Sequence, residues 1–85
     1  MQHPNIKDLR KLRRAIGHNI HTTRVRKKIT LDHLARKTGL SIKRLDHFEM
    51  GKSELELSHI IAIAHALKID MFKLITGDTR AYKAP

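Results

Sequence analysis

Three side chains within five residues, Lys43, Arg44 and His47, carry the most definite chemistry in this sequence. Lysine and arginine can donate to guanine O6 and N7, and a histidine N–H can reach a base acceptor or a phosphate. Ile42 beside them is suited to pack on a thymine methyl, and Ser41 adds a hydroxyl at the start of the same segment. The remaining reactive groups assemble nothing comparable. Seven histidines invite a metal reading, and His18 and His21 stand at i, i+3 spacing. No cysteine exists, and no carboxylate near that pair in the chain completes a ligand set, so solvated or partly buried histidines are expected and no metal. The serines lack a recognisable histidine and acid partner, and no glycine-rich phosphate loop is present. The expectation is a binding protein without a cofactor, not an enzyme.

Those side chains need a rigid element to present them. Leu45 and Phe48 share one face of a helix over about 42–50, and the step of about 100° per residue then puts Lys43, His47 and Met50 on the opposite face. Arg44 and Asp46 fall on its flanks and Ile42 at its tip. Ser41 is a suitable N-cap for this helix and Gly51 ends it. Before it, Thr30 caps a helix over 31–38 in which Leu31, Leu34 and Ala35 share a face, and Gly39 closes that one. The first helix is expected from about 6 to 27, with Asn5 as cap and Asp8 three residues on. Ile6, Leu9, Leu12, Ile16 and Ile20 mark its apolar stripe, and a break near Gly17 is the alternative, since glycine costs about 1 kcal/mol relative to alanine inside a helix. Leu57, Ile60, Ile61, Ala64 and Leu67 are spaced as a well-buried fourth helix. Asp70 caps a short fifth carrying Met71, Leu74 and Ile75, with Gly77 after it. No strand pattern, internal repeat or low-complexity tract appears, so the fold class is all-α in one domain.

Composition narrows the partner. Across 85 residues Lys and Arg outnumber Asp and Glu by 18 to 8, a net charge of +10. The excess is lopsided: residues 1–28 hold nine basic residues against Asp8 alone, which is +8 in the first third and +2 in the rest. Such a field favours a polyanion, and nucleic acid is the commonest in the cytosol. No apolar run approaches the roughly 18 residues of a membrane helix, and the basic N-terminal segment lacks the apolar core of a signal peptide. Cytoplasmic residence is therefore the expectation.

A helix, a short glycine-containing turn and a second helix form a helix-turn-helix arrangement, which alone is a weak signal in a small helical protein. The motifs "IGHNI", "ITLDHLARKTGLS", "LDHFEMGKS" and "IIAIAHALKI" are more specific. Through them, residues 15–76 resemble the five-helix Cro and lambda-repressor family, also called the Xre family of DNA-binding domains. The resemblance implies a five-helix domain that binds double-stranded DNA. It implies base readers at Ser41, Ile42, Lys43, Arg44 and His47, phosphate contacts at Thr30, Leu31 and Lys52, and a buried structural ion pair between Arg24 and Glu49. Two positions depart from the family. Leu31 stands where a glutamine is frequent, which removes a side-chain phosphate contact but leaves the helix N-terminus. Glu54 and Glu56 occupy a loop that usually approaches the DNA backbone, and they are expected to turn away from it.

Residues 1–14, a basic helical extension containing "KDLRKLRRAI", lie outside the resemblance. A solvated extension of helix one, an added DNA-backbone contact and an oligomer contact all fit it. Membrane attachment fits poorly, because the apolar face lacks Trp and Phe. Phe72 stands where the family usually has a polar residue; with Ile69, Ile75 and Tyr82 it would form an apolar patch of the kind that marks a dimer contact, burial under the tail at 77–85 being the alternative. The sequence is thus read as a sequence-specific regulator of transcription, a repressor acting as a homodimer on a pseudo-palindromic operator. The reading from another class is an antitoxin-type module that binds a protein partner through residues 1–14 and autoregulates through its DNA-binding domain.

Overall fold

A computed structural model of the protein describes residues 6–77, with side chains from Asp8 onward. It contains five helices: α1 (Ile6–Arg26), α2 (Leu31–Thr38), α3 (Ile42–Glu49), α4 (Leu57–Leu67) and α5 (Met71–Thr76). No strand occurs among the described residues. The expected cap at Asn5 and the expected contact at Tyr82 lie outside them. The all-α, five-helix class with an extended first helix is what the sequence predicts, and the local chemistry explains the boundaries. Thr30 accepts from the His33 N–H at 3.0 Å, Ser41 from Arg44 N–H at 3.1 Å and Asp70 from Phe72 N–H at 2.7 Å. Each of these side chains satisfies a donor that the first turn of its helix leaves without a backbone partner. Glu56 and His59 form a capping box at the start of α4, with the Glu56 N–H donating to His59 Nδ1 at 3.1 Å.

α1 packs against α3, α5 and α4; α2 packs on α3 and α4, and α4 on α5. Ile16, Ile20, Leu34, Leu45, Phe48, Ile60, Ile63, Leu67 and Leu74 form the core between them. Two apolar patterns are used differently from expectation. Among the described side chains of the α1 stripe, Ile16 and Ile20 reach the core, while Leu9 and Leu12 are 44% and 48% exposed. They line an open groove of about 250 Å³ with Arg13, Ile16, Glu54 and Leu55. In α4 the buried residues are Ile60, Ile63, Ala64 and Leu67; Leu57 and Ile61, expected inside, are 61% and 51% exposed. Ser58 and His65 share the exposed side with Ile61, but isoleucine and alanine occupy most other positions of α4, so its polar side is narrow and the expected stripe is rotated toward it. The neighbours α2 and α5 decide which side goes in.

α1 does not break at Gly17, because the glycine serves packing and not the end of a helix. A side chain there would run into the backbone carbonyl oxygen of Phe48 and come within 3.0 Å of that of Glu49. The glycine lets α1 lie directly on the C-terminal end of α3. Lys27 also holds the body together: its ammonium donates to the carbonyls of Leu67 at 2.7 Å and Lys68 at 3.2 Å, a cation at the C-terminus of α4.

Candidate nucleic-acid interface

The two ends of α3 are built on opposite principles. At its C-terminus Glu49, with a side chain only 5% exposed, accepts from Arg24 Nε at 2.6 Å and Nη2 at 3.0 Å. Arg24 Nη1 donates to the Ile29 carbonyl at 2.8 Å, which ties the α1–α2 connection into the same knot. These bonds to Glu49 hold the Arg24 guanidinium above its ordinary pKa against the opposing effect of burial, with further help from the nearby charges of Glu49 and Asp46. Arg24 therefore stays charged, and its fork geometry orients the end of α3. His21 joins them: its Nδ1 lies 2.8 Å from Glu49 Oε1, and since a carboxylate only accepts, Nδ1 is the donor. The 3.4 Å approach of Arg24 Nη2 to the same nitrogen is then a contact of two donors and not a hydrogen bond.

A carboxylate does stand beside one of the paired histidines. It is brought there by tertiary contact, 28 residues away in sequence. Glu49 is already held by Arg24, and no group of three or more metal-ligating side chains occurs among the described residues. His18 approaches Thr22 at 3.4 Å.

At the N-terminal end the side chains are open. Ser41, Ile42, Lys43 and Arg44 are exposed and His47 half-buried, so the five expected readers share one short helix and its cap. Arg44 alone has its position set from behind, with its guanidinium carbon 5.7 Å from the centroid of the Phe48 ring. Phe48 in turn meets the His59 ring at 5.1 Å. Because His59 Nδ1 accepts from the Glu56 N–H, its neutral ring carries the proton on Nε2. The 3.4 Å contact between that atom and Arg44 Nη2 is again donor against donor. Arg44 is stacked without committing its N–H groups to the protein.

The flanking positions are less uniform. Thr30 is exposed and occupied in capping α2, while Leu31 is half-buried and packs against the core. Lys52 is exposed in the α3–α4 loop, its backbone N–H held by the His47 carbonyl at 2.9 Å. Glu54 lies 3.8 Å from Arg13, and Glu56 is the N-cap residue of α4, tied through its backbone N–H to His59. Of the apolar trio on the C-terminal side, Phe72 is 61% exposed, whereas Ile69 and Ile75 are half-buried against the core. Sequence reasoning missed His21 and His59. His21 precedes Arg24 by three residues and so shares its helix face, which was a usable sign; His59 had none.

Residues 20–74 of the chain match the helix-turn-helix family model. No curated protein matches the chain. Among solved structures, the restriction-modification controller protein C.AhdI from Aeromonas hydrophila is 26% identical, with a TM-score of 0.70 over 75% of this chain and 96% of its own. The clp gene regulator ClgR from Corynebacterium glutamicum is 26% identical, with a TM-score of 0.74 over 84% of this chain and 96% of its own. The hypothetical transcription factor NHTF from Neisseria is 28% identical, with a TM-score of 0.70 over 88% and 83%. No helix among the described residues is long and apolar enough to cross a membrane.

Proposed function

This chain belongs to the Xre-type helix-turn-helix family of DNA-binding transcriptional regulators, and from that premise we propose that it is a cytoplasmic repressor that binds a pseudo-palindromic operator in double-stranded DNA as a homodimer. The observation that carries the reading is the asymmetry of α3: its C-terminus is locked by Arg24 and Glu49, and its N-terminal half presents Ile42, Lys43 and Arg44 to solvent without an ion pair. A rigid helix with such a tip suits the major groove. Lys43 and Arg44 serve as guanine readers, Ile42 packs on a thymine methyl, and Ser41 and His47 complete the surface. Thr30 and Lys52 hold the phosphate backbone on either side and set the register.

Phe72 is the anchor of the two-fold contact, flanked by Ile69 and Ile75. The dimer presents two recognition helices roughly 34 Å apart, one turn of duplex. Repression follows from occupancy, because a regulator seated on a promoter excludes polymerase without any further contact. A second reading, binding of a protein partner through residues 1–14, draws on the exposure of Leu9 and Leu12.

The deciding experiment is selection of bound duplexes from a random pool at near-physiological salt. An enriched motif with inverted symmetry is the expected result. Binding without enrichment would sink the operator reading, and a motif without symmetry would sink the dimer.

A further inference from the structure

The N-terminal half of α1 precedes the family match at residues 20–74, yet the structure fixes where it runs. Gly51 lies against it so closely that a side chain on that glycine would come within 2.9 Å of Arg14 Cα and 3.1 Å of Arg14 Cγ. One turn later Gly17 lies on the carbonyls of Phe48 and Glu49. The α1 face carrying Arg14 and Gly17 is therefore the face turned to the end of α3 and the loop that holds Lys52. Arg10 stands four residues before Arg14 on the same face and roughly 6 Å further along the axis, at 1.5 Å per residue.

The arginines of this half divide sharply. Arg13 is half-buried and reaches Glu54 at 3.8 Å. Arg10 and Arg14 are exposed, and their side chains have no hydrogen bond or ion pair to any described residue. Elsewhere Arg24 is bound by Glu49, Arg36 by Asp32 and Lys27 by two carbonyls. Two like charges at i, i+4 repel each other, and an anion bound between them relieves that repulsion.

We propose that Arg10 and Arg14 form a phosphate-binding site on α1 that continues from Lys52 and neutralises DNA backbone phosphates outside the base pairs read by α3. The proposal rests on the function inferred above and extends it: the extension of α1 contributes affinity and no sequence preference. Arginine is suited to such a site because its planar fork can bind a phosphate in bidentate fashion.

The test uses the full chain and two duplexes, one recovered by the selection and one unrelated, with affinity measured by fluorescence anisotropy between 50 and 200 mM salt. Arg10→Gln and Arg14→Gln are compared with Arg26→Gln, which removes the same charge from an exposed site on the α5 side of α1. Glutamine keeps the Cβ and Cγ that touch Gly51, and circular dichroism verifies the fold. The slope of log K against log salt is expected to shrink by about 0.9 for each arginine and by about 1.8 for the double variant. The loss is the same on both duplexes, and Arg26→Gln leaves the slope unchanged. A double variant with the wild-type slope, or Arg26→Gln matching Arg10→Gln, overturns the site while leaving the operator reading intact. A wild-type protein that binds neither duplex overturns that reading and the site with it.

Discussion

The two ends of α3, a helix of eight residues, use charge in opposite ways. At Glu49 a carboxylate is desolvated, bidentately held by Arg24 and touched by His21. At Lys43 and Arg44 the charges are solvated and without a carboxylate partner. A buried pair contributes orientation more than net stability, since desolvation offsets much of the attraction, but removing one member leaves a stranded charge. An exposed cation contributes almost nothing to folding and remains available to an external anion. The fold thus concentrates its demand for exact geometry at the end of the helix away from the proposed reading surface.

This contrast can be broken experimentally. Glu49→Ala strands Arg24 beside a dry helix end and is expected to cost about 3 kcal/mol or more, a fall in melting temperature of roughly 10 °C or more for a domain this size. A loss near zero in thermal denaturation would mean that the pair does not lock the helix.

Gly17→Ala should follow at about 1–3 kcal/mol. The sign is informative, because alanine at an open helix position would stabilise by about 1 kcal/mol. Here the obstacle is the Phe48 backbone, which cannot swing aside as a side chain can. Urea unfolding that found the variant more stable would refute the close approach of α1 and α3.

At the other end, Lys43→Ala should leave stability within about 0.5 kcal/mol and lose roughly 1–3 kcal/mol of discrimination at one base pair of each half-site. Competition between the selected duplex and its single-base variants measures this. Equal losses on operator and random DNA would remove Lys43 from the readers. The smallest effect belongs to Lys52→Ala: uniform weakening on every duplex, with the salt slope reduced by about 0.9. A change in sequence preference there would move Lys52 from the backbone contacts to the base contacts.

Much of this architecture is legible along the chain because it is made of local interactions. Thr30, Ser41 and Asp70 cap their helices by bonding N–H groups two or three residues away, and the helix boundaries follow from them. The inward turn of Leu45 and Phe48 follows from helical periodicity, and with it the outward turn of Lys43. The candidate reading surface can therefore be named from periodicity and caps. Arg24 and Glu49 are named only through family resemblance, since nothing local links residues 25 positions apart.

The points where sequence and structure part share one cause. Leu57 and Ile61 are expected in the core in place of Ile63 because isoleucine and alanine crowd α4 and leave Ser58 and His65 as a narrow polar side beside them. Leu9 and Leu12 continue a correct stripe into a groove where the α3–α4 loop covers them only in part. Gly17 raises the possibility of a break because its value lies in an empty space filled by another helix.

The five helices, the caps at Thr30, Ser41 and Asp70, the basic field and the outward row on α3 are properties of the sequence alone, because each depends on residues within a turn or two of one another or on composition. Tertiary structure decided which face of α4 is buried, where the extension of α1 runs, that His21 joins the ion pair and that Lys27 caps α4 instead of adding to the basic surface. Those outcomes depend on which distant backbone atoms come within a few ångströms, and that follows from how the helices pack against one another.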